Sequence, residues 1–140
     1  MPLTNKYTQV GYNPFFIAMG TTIDDFLFPE IILFGSNNKY VSERAQKFYK
    51  TLTNSPFFET TIENAELIKV CYNTFISTKI AYINSITEMC HRLPNTSIDE
   101  VTRALSLSTK RIISSSYLRG GMGDGGGCHP RDNIAMSYLA

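Results

Sequence analysis

The feature that most constrains this chain is one long helical stretch. From Thr61 to about Leu93, apolar residues return in steps of three to five, through Ala65, Ile68, Tyr72, Phe75, Ile80, Ile83, Ile86 and Cys90. Thr60 and Glu63 form a T-x-x-E capping box that opens it. It stops ahead of Pro94, because proline disfavours helix in the residue before it. At 1.5 Å per residue such a helix is roughly 45 Å long. The whole chain has 140 residues, enough for one compact domain and little more. A helix of this length in so small a chain buries itself against a second subunit or bridges two domains. The chain is therefore expected to be mainly α, with the helix over 61–93 either building a homodimer or bridging two domains.

The segments on either side are shorter. "EIILFG", Glu30 to Gly35, is an apolar run ended by glycine and polar residues, and it reads as a buried strand. A lone buried strand needs sheet neighbours, which this chain supplies sparsely, so the segment reads as the edge of a domain lying mostly elsewhere. Ser42 is placed to cap a helix over "SERAQKFYKTLTN", and "SPFFETT" follows as an extended connector. Ser97 and Glu100 form a second capping box, ahead of the helix "IDEVTRALSLS". Asp132 can cap a last helix beginning at Asn133.

Charge and cysteine usage exclude some classes of function. A net charge of +1 leaves no electrostatic footprint for nucleic acid or an anionic membrane. No apolar run is long enough to span a bilayer, and "MPLTNKYTQVGY" lacks the pattern of a signal peptide. Three widely spaced cysteines, Cys71, Cys90 and Cys128, do not form a disulfide framework, which points to a reducing, cytoplasmic compartment.

Chemistry concentrates at "GGMGDGGGCHPRDN", Gly120 to Asn133. A glycine-rich loop ahead of a helix start exposes backbone N–H groups at the positive end of a dipole, which favours the thiolate form of Cys128. The thiolate is the nucleophile. The alternatives are an incidental cysteine in a tight turn, or a metal ligand. For a metal, the adjacent pairs Cys90-His91 and Cys128-His129 have poor spacing, and there is no C-x-x-C or H-x-x-x-H. Cys71 and Cys90 read as small core residues. On the long helix, Lys69 and Asn73 are four apart and project from one face. Their neighbours "AELIKVCYN" are apolar on most sides, so the pair reads as lining a cavity or interface, against the plainer reading of two solvated side chains. Arg111 and Arg119 flank the approach to the glycine loop and would suit a phosphorylated ligand.

"AELIKVCYNTF", "NSITEMC" and "GGMGDGGGCHPRD", in this order and spacing, resemble the UDP-glucose/GDP-mannose dehydrogenase family. Upstream, "YNPFFIAMGTTIDDFLFPEIILFG" is similar to the family stretch N-P-E-F-L-x-E-G-x-x-x-x-D-x-x-x-P-x-x-x-x-G, so the resemblance runs from Tyr12 to Ala140. It implies NAD-dependent oxidation of the C6 alcohol of a nucleotide-linked sugar to a carboxylate. It implies Cys128 as the nucleophile toward the aldehyde, giving a thiohemiacetal and then a thioester. Lys69 and Asn73 would stabilise the developing oxyanion, and Asp132 would orient the lysine or the hydrolytic water. Substrate contacts would come from Phe16, Ile17, Arg111, Tyr117, Leu118, Arg119 and Gly125, and a cofactor contact from Arg131. Arg111 would reach the substrate of a neighbouring subunit.

The resemblance also divides the chain. Residues 1–37 would be the remnant of an NAD-binding α/β domain of Rossmann type, whose G-x-G-x-x-G turn between strand and helix does not occur within them. Residues 38–140 would be the helical central dimerisation domain. The chain would then be a truncated form or a gene fragment, inactive alone. Departures from the family pattern are Phe15 and Met19 in place of two acidic residues, Asp124 for Phe, Gly127 for Ser and Arg131 for Lys. The loss of the first acid leaves open a second reading: a non-catalytic dimerisation or interaction module of the same ancestry.

Overall fold

The structure is a computed structural model that describes residues 9–118, 120–121 and 128–139. Its elements in order are α1 (Thr22–Leu27), β1 (Ile32–Gly35), α2 (Lys39–Tyr49), β2 (Phe57–Thr60), α3 (Ile62–Arg92), α4 (Ile98–Ser106) and α5 (Cys128–Leu139). The fold is mainly helical, with one long helix and a short strand-containing α/β portion ahead of it, as the sequence implies. Two compact units divide it, Met1–Phe75 and Ile76–Ala140, with the boundary inside α3.

The first unit is organised on β1. All four of its residues are buried, and Leu33 is fully enclosed. Burial on both faces is what a strand in a parallel βαβ arrangement requires, and it explains the unbroken apolar run. Its partner is β2, paired in parallel from Ile32 opposite Phe57 to Gly35 opposite Thr60, with α2 as the connection. The expected connector is thus a strand. Phe34 stacks on Phe57 at 5.9 Å, and Tyr49, from the last turn of α2, meets Phe57 at 6.2 Å. Because β1 and β2 lie on either side of residue 37, the α/β portion runs on to Thr60.

Helix starts differ from the sequence reading by short steps. Asn38, not Ser42, caps α2, its side chain accepting the Tyr40 and Val41 N–H groups. Ser42 lies inside the helix and is buried. Thr61 rather than Thr60 caps α3, accepting the Asn64 N–H at 3.3 Å, because Thr60 is still held in the sheet by the Ser36 N–H. Ser97 sits at the start of α4 with no capping bond from its side chain, and Glu100 pairs instead with Arg103 at 2.6 Å. Asp132 lies within α5 and caps nothing, since that helix already includes Cys128. The six-residue α1 was not anticipated. It has Asp24 and Asp25 in its first turn, where a carboxylate favours helix.

Gly35 fixes where α3 begins. A Cβ there would lie 2.7 Å from the Ala65 Cβ and 2.8 Å from both the Ile62 Cα and the Thr61 carbonyl oxygen. Glycine is what lets the first turn of α3 settle on the end of β1. Ala65 is fully buried at that contact, and Lys69 lies one turn further along.

Candidate functional site

The expected site residues are distributed over both units. Phe16, Ile17, Lys69 and Asn73 belong to the first; Arg111, Tyr117, Leu118, Cys128, Arg131 and Asp132 belong to the second. Arg119 and Gly125 lie outside the described residues.

In the first unit, Lys69 is held by the segment Asn13–Phe16. Its Nζ donates to the Phe15 carbonyl oxygen at 2.7 Å and stands 4.6 Å from the centre of the Phe16 ring and 5.9 Å from that of Tyr72. Phe16 and Tyr72 are themselves in contact at 4.5 Å. A carbonyl dipole and two π faces thus receive the ammonium and fix its direction. Lys69 is half-buried, whereas Asn73, one turn on, is exposed on the same helix. Phe15, at the position of a family acid, packs on Phe26 at 5.6 Å, and Met19, at the other, is fully exposed.

The segment is anchored by residues that sequence reasoning missed. Tyr12 exchanges both backbone bonds with Gly35 at 2.8 Å. The Asn13 amide donates to the Leu33 carbonyl at 2.8 Å, and its oxygen accepts the Tyr49 hydroxyl. Burial pushes the Tyr49 phenol above its usual value, and the bond to Asn13 partly offsets this. The Asn-Pro dipeptide signals a turn, but nothing in the sequence ties it to Tyr49, 36 residues on.

Asp25 closes the following turn, accepting the Ala18 N–H at 2.9 Å and the Thr21 hydroxyl at 2.7 Å. The backbone donor first, then the hydroxyl, hold its carboxyl below the ordinary value of 3.8. A lowered folded-state value means the carboxylate stabilises this turn fully above pH 3.8, and the contribution fades as pH falls through the lowered value. In a carbonyl-carbon NMR titration, Asp25 is expected to titrate below 3.8, and Thr21→Ala to move it upward. A midpoint at or above 3.8 in the unmodified chain contradicts this account.

In the second unit, Cys128 is exposed in the first turn of α5, with Asp132 one turn on. The Arg131 guanidinium binds the Asp132 carboxylate, Nε at 2.9 Å and Nη2 at 2.8 Å from Oδ1. Pro130 is tolerated where it stands because a first-turn N–H has no helical partner. Arg111 is exposed in the turns after α4. Tyr117 is exposed with φ at 66°, a left-handed conformation rare for an aromatic residue, and Leu118 beside it is also exposed. All three cysteines are free. Cys71 is exposed and Cys90 half-buried, so Cys71 is not the core residue its setting suggested. Among the described residues no group of three His, Cys, Asp or Glu side chains could hold a metal, and no helix is long and apolar enough to cross a membrane.

A parallel strand–helix–strand unit leading into a helical region built on one long helix defines an α/β-to-helical architecture with an oriented lysine and an exposed thiol. Comparison with known proteins specifies it further. Residues 63–140 match the central domain of the UDP-glucose/GDP-mannose dehydrogenase family, and the chain belongs to that family. It is 35% identical over 131 residues to the UDP-glucose 6-dehydrogenase of Rickettsia conorii, covering 94% of this chain and 30% of that protein. Among solved structures it is similar to a GDP-mannose dehydrogenase from Pseudomonas aeruginosa crystallised as a ternary complex, with TM-score 0.85, 30% identity, and coverage of 91% of this chain and 29% of that one. It is also similar to a UDP-glucose dehydrogenase from the archaeon Pyrobaculum islandicum, with TM-score 0.69, 27% identity, and coverage of 94% and 29%. The chain therefore spans about three-tenths of the length of these relatives.

Proposed function

We propose that this chain is part of a longer NAD-dependent dehydrogenase that oxidises the C6 alcohol of a UDP- or GDP-linked sugar to a uronate. The observation that carries the reading is the family match over residues 63–140, which takes in Lys69, Asn73, Cys128 and Asp132 together. In this reading the Cys128 sulfur bonds to the aldehyde carbon, and the carbonyl oxygen takes up negative charge. The Lys69 ammonium and the Asn73 amide donate to that oxygen. Fixed donors act strongly on charge that develops in the transition state, because they need no reorganisation. Lys69 suits this role because Phe15, Phe16 and Tyr72 already hold its direction. Asp132, joined to Arg131, orients the lysine or the water that hydrolyses the thioester. Arg111, Arg119, Tyr117, Leu118 and Gly125, with Phe16 and Ile17, bind the nucleotide sugar.

NAD would supply the hydride acceptor of the longer protein. Arg131 suits a contact to it, because an exposed guanidinium can share its donors between Asp132 and a phosphate oxygen. The described residues include no glycine-rich strand-to-helix turn of the kind that cradles a dinucleotide. The α/β portion that ends at Thr60 is assigned to the domain that would carry that cradle, and α3 opens the helical central domain. The 140-residue chain alone is expected not to turn over. Its free thiols support a reducing, cytoplasmic setting.

The longer protein is the one to test. Reduction of NAD followed at 340 nm with UDP-glucose and with GDP-mannose should show turnover with one of them. Absence of turnover and of binding with both favours the non-catalytic interaction module, a reading that the apolar Phe15 and Met19 support.

The partner assigned to α3 is a second copy of the chain. Leu67, Val70, Phe75 and Ile80 are each more than half exposed, which is unusual for large apolar side chains along one helix. Light scattering is expected to give a dimer at micromolar concentration. Val70→Glu with Ile80→Glu should weaken it by about 30-fold or more in Kd, since each of the two changes forfeits on the order of 1–3 kcal/mol of apolar burial. A monomeric parent chain refutes the assignment.

A further inference from the structure

We propose that Asn13 and Tyr49 act as a positioning clamp that fixes the Phe15 carbonyl and, through it, the Lys69 ammonium. The inference rests on the reading above in taking Lys69 as the group whose direction matters. Two arms lead from β1 to this lysine. The first is α3, seated on Gly35 through Ala65, one turn before Lys69. The second is the segment Tyr12–Phe16, which delivers the carbonyl that Lys69 binds. Only if both arms are referred to the same strand is the ammonium fixed rather than merely attracted.

The second arm has a weak point at Pro14, which has no N–H with which to tie the segment down. The Asn13 side chain supplies what the backbone lacks. Its amide donates to the Leu33 carbonyl on β1, while its oxygen accepts the hydroxyl of Tyr49. Tyr49 is buried at the end of α2 and packs on Phe57 of β2, so its hydroxyl is a rigid reference point. Two residues beyond Asn13, the Phe15 carbonyl is directed at Lys69, and the Phe16 ring lies beneath the ammonium. Asn13 and Tyr49 also border one narrow cleft with Pro14, Phe15 and Phe16. Asn13 and Tyr49 touch no reacting atom in this scheme; they act through Phe15.

The test compares Tyr49→Phe, which keeps the ring and removes only the hydroxyl, with Asn13→Ala. In the 140-residue chain, the Lys69 ε-methylene protons should be displaced upfield by the Phe16 ring. Both variants should lose most of that displacement while the Leu33 methyl signals stay in place. The proposal is overturned by a parent chain without the upfield signal, or by variants that retain it. It is equally overturned if the Leu33 methyls shift with Lys69 in both variants, which would make the pair an ordinary core bond. In the longer protein with its nucleotide sugar and NAD, Tyr49→Phe should lower kcat about tenfold at unchanged KM, the effect of one modest hydrogen bond. An unchanged kcat overturns the clamp. A longer protein with no dehydrogenase activity sinks the functional reading instead, and the NMR comparison then decides the clamp alone.

Discussion

Gly35→Ala is expected to lower the melting temperature by about 5–15 °C, corresponding to about 1–3 kcal/mol of overpacking. The reason is the identity of the atoms that the new methyl meets. One is the Ala65 Cβ at 2.7 Å, but the other two are backbone, the Ile62 Cα and the Thr61 oxygen, each at 2.8 Å. A flexible side chain could swing aside; a helix start cannot, so α3 must shift bodily away from β1. Combining Gly35→Ala with Ala65→Gly should recover only part of the loss, because the backbone contacts remain. Gly120→Ala is the control: a Cβ there meets nothing within 4 Å, and its effect should stay within about 0.5 kcal/mol. Thermal unfolding followed by circular dichroism distinguishes these cases. A melting temperature unchanged by Gly35→Ala would mean that α3 does not start against β1 as described.

The long helix and the buried strand were legible in the sequence because their causes are local. Pro94 ends α3 through its own ring, and the Ile-rich run of β1 reflects burial on both faces. β2 was not legible. Phe57 to Thr60 is extended because it pairs with Ile32 to Gly35, and that pairing spans a helix. Ser42 offered a cap by residue type, but Asn38 begins the helix earlier and leaves Ser42 facing the interior. At the candidate site, the helical spacing of Lys69 and Asn73 could be read directly. The partner of Lys69 could not, because it is a backbone carbonyl 54 residues away, and a carbonyl carries no residue signature. The same holds for Asn13, whose two bonds go to a carbonyl and to a tyrosine on another element.

Replacing Cys128 with alanine in the longer protein is expected to lower turnover to the acid product on the order of 10³-fold or more, because it removes the sulfur that bonds to the aldehyde carbon. Cys128→Ser should fall nearly as far. A hydroxyl needs a base to become a nucleophile, and the carboxylate one turn away, Asp132, is already engaged by Arg131. Exposure alone cannot identify the reactive thiol, since Cys71 is as open to solvent by class as Cys128. The comparison with Cys71→Ser therefore carries the decision: it should leave turnover within about twofold, because it exchanges one small side chain for another on the surface. Intact-mass analysis of the parent protein quenched during turnover should show a covalent adduct that maps to Cys128 and is missing from Cys128→Ala. If Cys128→Ala retains turnover near the parent rate, the thiol is incidental to its helix start. Residual acid formation would then require attack by water itself, leaving Lys69 and Asn73 as the groups to test next.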